Sequence, residues 1–435
     1  MTDIQVGITG IVGMLALIAV RVPIAIGMIT VGAIGLTVLI GFGPMTGLLR
    51  SLPYQFAASW ELSSLPTFLV MGYVAYHANL TQGLFRAAKL WLSALPGGLA
   101  IATVFGAAAF SALSGSSIAC AASMGKIAVP EMRRAGYSVR LATGTVAAAG
   151  TLGPLIPPSI LMILYGIFIQ QSIGKLFLAG LAVGLLTALG YVITIWVWVT
   201  LWPGSAPRIT ERASLHERLA SLRETLPSIV LVVLVFGGLF GGLFTASEAG
   251  ALGSVFAVII GFARGSLNWK TLRLALEESL STTCAILLIT IGANLLARLL
   301  AVSGTDQAIS DWVVAFKPTQ FEFFVIITVL YSILGMLLEP VGIMLLTIPI
   351  VYPVLVTLDI NLIWFGAILV KFLEIGMLTP PIGLNVFVIK SVVGDLADTW
   401  TIFKGVAPFL VADAFVIGAT MAWPDMVLFF VHLME

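Results

Sequence analysis

Two apolar stretches of this 435-residue chain each contain a double proline, Pro157-Pro158 and Pro380-Pro381, beside hydroxyl and amide side chains. Proline removes a backbone donor and clashes with the preceding helical turn, so neither stretch can run as one unbroken helix. Such a break leaves unpaired carbonyl groups at the end of one half-helix and unpaired amide groups at the start of the next. Carbonyl ends suit cations and amide ends suit anions such as carboxylates. The two breaks therefore predict binding of a charged solute.

The polar side chains around the breaks supply mainly neutral oxygen atoms. A hard monovalent cation such as sodium suits a cage of oxygen ligands, whereas a divalent cation normally requires more carboxylates. The candidate substrate and ion ligands of the first half are Ser114, Gly115, Ser116, Ser117, Gly150, Thr151, Gly153, Pro157, Pro158 and Ser159. Those of the second half are Glu339, Pro340, Gly376, Thr379, Pro380, Pro381, Gly383 and Asn385.

Two of these motifs also have a plain structural interpretation. The small residues 114–117 could simply let membrane helices pack closely. We expect them instead to form a ligand-binding tip, because they lie between two apolar half-helices and the other half has a counterpart. Glu339 could cap a short helix by interacting with the helix dipole, and this role and an ion-related role remain equally open.

Ionisable residues inside apolar segments are functional candidates by default. Lys371 and Glu374 lie three residues apart and share a helical face, so we expect them to pair with each other. Proton coupling through Glu374 is the alternative if its side chain faces a cavity. For Asp413 and Arg298 we expect structural or interfacial roles. The sequence predicts no catalytic residues and no covalent cofactor.

The elements that must position these residues are membrane helices. Hydrophobic residues make up 60% of the chain and charged residues 9%, with a mean hydropathy of +1.11, whereas soluble domains are roughly 45–50% apolar and about 25% charged. The fold class is therefore an all-α polytopic membrane protein. A net charge of +1 argues against a nucleic-acid partner. No nucleotide-binding loop or hydrolase motif is present, so we expect a non-enzymatic protein powered by an ion gradient.

Hydropathy predicts ten full crossings, since a span needs about 20 apolar residues. They lie near 5–20, 23–41, 60–79, 142–169, 176–202, 226–244, 246–263, 280–302, 362–390 and 405–431. Two further apolar stretches, 97–131 and 320–356, have a polar or proline-containing tip at their middle. We expect each of these two to form a re-entrant hairpin.

The same order of elements occurs twice. The stretch GPLIPPSIL (153–161) aligns with GMLTPPIGL (376–384), and in each half a hairpin tip precedes the double proline by a similar interval. The predicted halves are 1–202, with its broken helix at 142–169, and 228–435, with its broken helix at 362–390. A polar cytoplasmic linker at 203–227 connects them.

Basic residues indicate the orientation, because short loops rich in Lys and Arg stay cytoplasmic. Most basic residues, including Arg208 and Arg212 of the linker, fall on one face, whereas few, such as Lys317, fall on the other. Both termini are then predicted to be periplasmic. The halves begin on opposite sides of the membrane, which makes them inverted repeats, an arrangement that recurs in secondary transporters.

Four long motifs resemble one known family. They are FSALSGSSIACAASMGKIAVPEMRRAGY (110–137), GTLGPLIPPSILMILYGI (150–167), GKLFLAGL (174–181) and FLEIGMLTPPIGLNVFVIK (372–390). With them the chain resembles, over essentially its whole length, the large membrane subunit of the tripartite ATP-independent periplasmic (TRAP) transporters, the DctM-type family.

This resemblance implies sodium-driven uptake of an organic acid of the C4-dicarboxylate, sialic acid or sugar acid type across the bacterial inner membrane. It implies an elevator-type movement of the hairpins and broken helices against scaffold helices at 1–96 and 228–302. Sodium would bind at the hairpin tips and helix breaks. Two partners are implied as well: a small four-helix membrane subunit, expected as a separate polypeptide, and a periplasmic substrate-binding protein.

Other functions fit the pattern less well. The main alternative is a sodium/carboxylate symporter of a related inverted-repeat fold that needs no binding protein. An ion channel would conduct without a fixed stoichiometry, and an intramembrane enzyme would alter its substrate chemically.

Overall fold

The computed structural model describes residues 2–207, 214–316, 319–336 and 338–434, apart from the side chains of Val314 and Gln320. The basic residues Arg208, Arg212 and Lys317, used above to predict the orientation, lie outside the described residues. Throughout the described ranges the regular structure is helical, in agreement with the predicted all-α class.

Ten α-helices belong to the first half of the chain: α1 (Asp3–Ala19), α2 (Ile24–Ile40), α3 (Phe42–Ala57), α4 (Ser64–His77), α5 (Gln82–Leu92), α6 (Gly98–Ser114), α7 (Ser117–Arg134), α8 (Val139–Gly150), α9 (Ile160–Phe168) and α10 (Ile173–Leu201). Ten follow in the second half: α11 (Leu215–Phe240), α12 (Ala246–Ala263), α13 (Trp269–Ser303), α14 (Thr305–Ala315), α15 (Gln320–Gly335), α16 (Pro340–Thr357), α17 (Leu362–Gly376), α18 (Leu384–Val393), α19 (Thr399–Ala422) and α20 (Pro424–His432).

Six of the described helices are long and apolar enough to cross a membrane, which makes the chain a multi-pass membrane protein. They are α10, α11, α12, α13, α16 and α19, and four shorter apolar helices lie in α1, α2, α6 and α15. The crossing predicted at 60–79 corresponds only to the 14-residue helix α4. The helices thus follow the hydropathy pattern, but several are shorter than a full crossing.

Two predicted boundaries differ from the structure for identifiable reasons. The crossing predicted at 405–431 is divided into α19 and α20, because Trp423 has a non-helical backbone conformation and Pro424, which has no backbone donor, begins a new helix. The linker predicted at 203–227 is helical from Leu215 onward. Ser214 and Glu217 form a capping box there, in which the Ser214 backbone N–H donates to Glu217 Oε2 at 2.8 Å.

The helix positions repeat between the two halves. Equivalent helices begin at residues 24 and 246, 82 and 305, 98 and 320, 117 and 340, 139 and 362, 160 and 384, and 173 and 399, which are intervals of 222 to 226 residues. The hairpins α6–α7 and α15–α16 and the two broken helices are therefore counterparts. The sequence alignment on the double prolines predicted this correspondence.

The halves differ most where α3 and α4 of the first half correspond to the single 35-residue helix α13 of the second. The first half carries Pro53 inside α3 and Pro66 in the first turn of α4. Both prolines oppose a continuous helix, whereas α13 contains none.

The two halves pack crosswise. Helix α10 packs on α17 and α19 packs on α8, while α18 packs on α7 and α16 on α9. Each broken helix is thus held by the last long helix and a hairpin arm of the other half. The buried side chains form two hydrophobic clusters. One joins α6, α7, α8, α18, α19 and the second part of α10, and the other contains most of the remaining helices.

Candidate functional site

The first hairpin tip is a sharp turn between α6 and α7. Gly115 ends α6 with φ +62°, a left-handed conformation that favours glycine. Ser116 is extended and caps α7 by accepting from the Ala119 N–H at 3.4 Å. A Cβ on Gly115 would overlap the carbonyl oxygen of Pro158. The tip therefore rests directly on the first helix break.

The first break is a buried, non-helical segment from Thr151 to Ser159. Ser159 ends it by accepting from the Met162 N–H at 3.2 Å and so caps α9. A Cβ on Gly153 would lie 2.7 Å from the Ser117 nitrogen, so the break and the first tip touch through backbone atoms. The structure thus brings together all the predicted ligands of the first half, although Ser116 and Ser159 act as helix caps.

The second break runs from Met377 to Gly383 and is more open than the first. Pro380 and Pro381 are exposed, whereas Pro157 and Pro158 are buried. Both double prolines are joined by cis peptide bonds.

The two polar side chains at the second break, Thr379 and Asn385, have different surroundings. Thr379 donates its hydroxyl to the Ile375 carbonyl at 2.7 Å, so this predicted ligand serves its own helix end. Asn385, in the first turn of α18, is fully buried.

The second hairpin tip begins α16 with Glu339 as the N-cap and Pro340 as the first helical residue. The Glu339 side chain makes no capping hydrogen bond and is exposed. The second hairpin approaches the second break at the end of α15, where a Cβ on Gly335 would lie 2.7 Å from the Gly376 Cα. Among the described residues, no hydrogen bond joins Glu339 to the other predicted ligands.

Four residues from both halves converge where the first tip meets the second broken helix. The Ser117 hydroxyl donates to Glu374 Oε1 at 3.3 Å. A Cβ on Gly150 would lie 3.3 Å from Asn385 Nδ2 and 3.3 Å from the Ser117 carbonyl oxygen. We call Ser117, Gly150, Glu374 and Asn385 the carboxyl-amide cluster.

The carboxyl-amide cluster contains unpartnered polar atoms. Within the described part of the chain, Glu374 Oε2 and both side-chain polar atoms of Asn385 are buried without a hydrogen-bond partner, as is the nearby tip hydroxyl of Ser114. A buried donor or acceptor without a partner costs roughly 1–3 kcal/mol, and a charged one costs more. These atoms are therefore suited to hold a ligand that the chain itself does not provide.

The donor set indicates what kind of ligand fits. One carboxylate accompanied by amide, hydroxyl and backbone oxygens suits a hard monovalent cation. No group of three or more His, Cys, Asp or Glu side chains that could hold a metal ion occurs among the described residues. The cluster thus resembles a site for sodium or a proton more than one for a transition metal.

A second buried polar network lies beside this cluster. Lys371 Nζ lies 2.5 Å from Asp413 Oδ1, and the Tyr191 hydroxyl donates to Asp413 Oδ2 at 3.1 Å. The Tyr191 oxygen is also 2.9 Å from Thr151 Oγ1 at the first break. We call Lys371, Asp413, Tyr191 and Thr151 the lysine network.

The predicted pairing of Lys371 with Glu374 is wrong. Asp413 reaches Lys371 from α19, while Glu374 is turned toward Ser117 of the first hairpin. Tyr191 was missed by the sequence reasoning, although it is the one tyrosine of the apolar helix α10 and so was an available signal. Arg298 lies apart from the site and donates to Asn294 Oδ1 at 2.8 Å.

Comparison with protein families gives one match that spans most of the chain. Residues 11–426 match the family model described as the tripartite ATP-independent periplasmic transporter, DctM component.

Two curated proteins are similar over most of their length. The C4-dicarboxylate TRAP transporter large permease protein DctM of Pseudomonas aeruginosa is 35% identical, covering 78% of this chain and 79% of that protein. The sialic acid TRAP transporter large permease protein SiaM of Vibrio cholerae is 30% identical, covering 85% of this chain and 86% of that protein.

A solved structure shows a similar fold. The crystal structure of the YdaH transporter of Alcanivorax borkumensis matches with a TM-score of 0.61 at 14% sequence identity. The match covers 87% of this chain and 90% of that one. At this identity the likeness concerns the fold alone.

Proposed function

The chain belongs to the DctM component family of the tripartite ATP-independent periplasmic transporters, and from this premise we propose that it is the large permease subunit of a sodium-driven organic-acid importer. The family consists of transport proteins of the inner membrane, so the chain is a transport protein and not an enzyme. Its family also implies a tripartite assembly. The proposed partners are a small four-helix membrane subunit and a periplasmic substrate-binding protein.

The proposed substrate is an organic acid. Similar proteins are described as transporters for C4-dicarboxylates and for sialic acid, both of which carry carboxylates. The helix starts that follow the two breaks, α9 and α18, direct backbone N–H groups toward the break regions, and such ends favour anions. We therefore propose a C4-dicarboxylate, sialic acid or sugar acid as the class of substrate.

The observation that supports cation coupling is the carboxyl-amide cluster. The charges of Lys371 and Asp413 cancel within their ion pair, so the buried Glu374 carboxyl, which has one oxygen without a partner among the described residues, needs a proton or another bound cation to balance its ionised form. An uncompensated charge in a low-dielectric interior is costly, so this site favours uptake of a monovalent cation. Sodium is the proposed ion, held by Glu374, Asn385, Ser117 and the backbone near Gly150.

The proposed movement is of the elevator type, with both termini periplasmic. The first hairpin, α8, α18 and α19 share one hydrophobic cluster, which favours their moving together, whereas α9, α16 and α17 share the other cluster with the proposed scaffold helices. The distribution of basic residues supports the orientation, which labelling of single cysteines from either side of the membrane would check.

Uptake by proteoliposomes that contain this chain, the small subunit and the binding protein tests the proposal. A sodium gradient should accelerate uptake by the wild-type protein, and Glu374→Gln should abolish that acceleration because it removes the buried charge. Glu277→Gln is the matched control, since Glu277 is exposed and its ion-pair partner is Arg273 of the same helix.

Two results would contradict the proposal. Sodium activation that is equal in Glu374→Gln and in the wild-type protein would remove the assigned ion site. Full uptake without the soluble binding protein would favour the binding-protein-independent symporter.

A further inference from the structure

We propose that Lys371 is a tethered cation that occupies an oxygen site within the lysine network and thereby sets how many free cations the buried region binds. The ammonium takes the place that a mobile cation would otherwise fill beside Asp413. This inference rests on the proposed cation coupling, because it extends the same charge balance to the neighbouring network.

The Lys371 ammonium is buried beside a carboxylate, a position that a free cation could also occupy. The Lys371 side chain is 1% exposed and that of Asp413 is fully buried. The ammonium lies 2.5 Å from Asp413 Oδ1 and 5.4 Å from the centre of the Tyr191 ring, so a carboxylate and an aromatic face both stabilise it. Within the described part of the chain, Asp413 is the one residue that accepts a hydrogen bond from it.

The oxygen atoms around Asp413 come from three separate helices or helix ends. Tyr191 belongs to α10, Asp413 to α19, and Thr151 caps the end of α8 at the first break. A carboxylate, a phenol and a hydroxyl joined in this way offer oxygen ligands of the kind that suit a hard cation. A lysine ammonium is a compact point charge and can substitute for such an ion.

Stability alone is a weak explanation for this ion pair. Replacing a buried pair by apolar residues is often neutral or stabilising, because desolvation offsets the attraction between the charges. The position of Lys371 suggests a role in charge balance instead. It lies one helical turn before Glu374 on α17, so the two sites share one electrostatic environment.

The charges of the three ionisable residues predict a series of cation counts. When all three groups are ionised, Lys371, Asp413 and Glu374 together carry a net charge of −1, which one bound cation balances. Lys371→Met changes the sum to −2, and Asp413→Asn changes it to zero. The double variant Lys371→Met/Asp413→Asn restores −1. We therefore expect one bound cation in the wild-type protein, two in Lys371→Met, none in Asp413→Asn and one in the double variant.

Equilibrium binding of radioactive sodium measures these numbers directly. The full chain is purified with its small subunit in lipid nanodiscs. Compared with the wild-type protein, the Lys371→Met variant should bind one more sodium ion and the Asp413→Asn variant one fewer. The double variant should match the wild-type protein. Lys270→Met is the matched control, because Lys270 is exposed at the start of α13 and its loss should leave the number unchanged.

Each outcome decides the proposal. Equal sodium binding by Lys371→Met and the wild-type protein would overturn it, as would a gain that persists in the double variant. If Lys371→Met does not fold, Asp413→Asn and the double variant carry the test, and equal binding by these two overturns it.

The result also separates this inference from the proposed function. If the wild-type protein binds no sodium but Lys371→Met binds one ion, sodium coupling fails and the tethered cation stands. If the wild-type protein binds sodium and no variant changes the number of bound ions, sodium coupling stands and the tethered cation is overturned.

Discussion

The side-chain amide of Asn385 is buried without a hydrogen-bond partner among the described residues, and this makes it the sharpest probe of the ion site. Asn385→Leu removes two unsatisfied polar atoms, so we expect the melting temperature without sodium to stay the same or to rise. If the amide oxygen binds the coupling ion, sodium-dependent uptake should fall at least about tenfold, equivalent to ~1.4 kcal/mol.

Thermal melting and proteoliposome uptake of the same preparation check this prediction. Asn294→Leu is a suitable control, since Asn294 is half-buried on α13 and its side chain accepts a hydrogen bond from Arg298 of the same helix. A variant that melts at a lower temperature and still shows normal sodium activation would mean that Asn385 serves the fold and not the ion.

At the residue scale, the sequence identified the polar residues near the breaks but not their separate uses. Ser117, Gly150 and Asn385 converge, whereas Ser116 and Ser159 cap helices. A serine next to a break can do either, because its short hydroxyl reaches the first free N–H groups of the following helix. Only the three-dimensional packing decides, and the same holds for the choice of Asp413 over Glu374 as partner of Lys371.

Among the helices, α8 and α19 cross with their backbones in close contact. A Cβ on Gly405 would overlap the Arg140 carbonyl oxygen and lie 3.2 Å from the Gly144 Cα. Gly405→Ala should therefore force the two backbones apart and lower the free energy of unfolding by about 1–3 kcal/mol, as overpacking usually does. Uptake should fall with it, because α19 carries Asp413.

Gly418→Ala on the same helix provides the control. A Cβ on Gly418 would meet nothing within 4 Å, so this change should leave the unfolding free energy unchanged or raise it by up to about 1 kcal/mol. Unfolding of both purified variants measures the difference. Equal stability of the two would show that the crossing tolerates a side chain.

At the scale of helices, the sequence predicted what its prolines and apolar periods determine. The breaks at Pro157-Pro158 and Pro380-Pro381 and the two hairpins lie where predicted. The early start of α11 was missed, because its first turns are polar and only the capping pair of Ser214 and Glu217 marks them. The close crossing at Gly405 could not be predicted from the sequence either, since its partner Gly144 lies more than 250 residues earlier in the chain.

For the molecule as a whole, the ion pair of Lys89 on α5 with Glu131 on α7 is a test of movement. Their charged atoms are 2.6 Å apart, and the pair joins a proposed scaffold helix to the first hairpin. If the hairpin moves during transport, linking Lys89→Cys to Glu131→Cys with a short bifunctional thiol reagent should stop uptake.

The control link lies within the proposed scaffold. His77 on α4 and Glu278 on α13 are 2.9 Å apart, so linking His77→Cys to Glu278→Cys should leave uptake intact. Both pairs are placed in a Cys284→Ser background, because Cys284 is exposed while Cys120 is buried. Normal uptake by the linked Lys89→Cys/Glu131→Cys protein would exclude movement between α5 and α7.

The two breaks have equivalent places in their halves but unequal surroundings: Pro157 and Pro158 are covered, and Pro380 and Pro381 are open. In a transporter made of two equivalent halves, the two helix breaks would be equally exposed at the midpoint of the transport cycle. Under the proposed elevator movement, this difference identifies the conformation as one end of the cycle. Its opposite end can be sketched by exchanging the surroundings of the two halves.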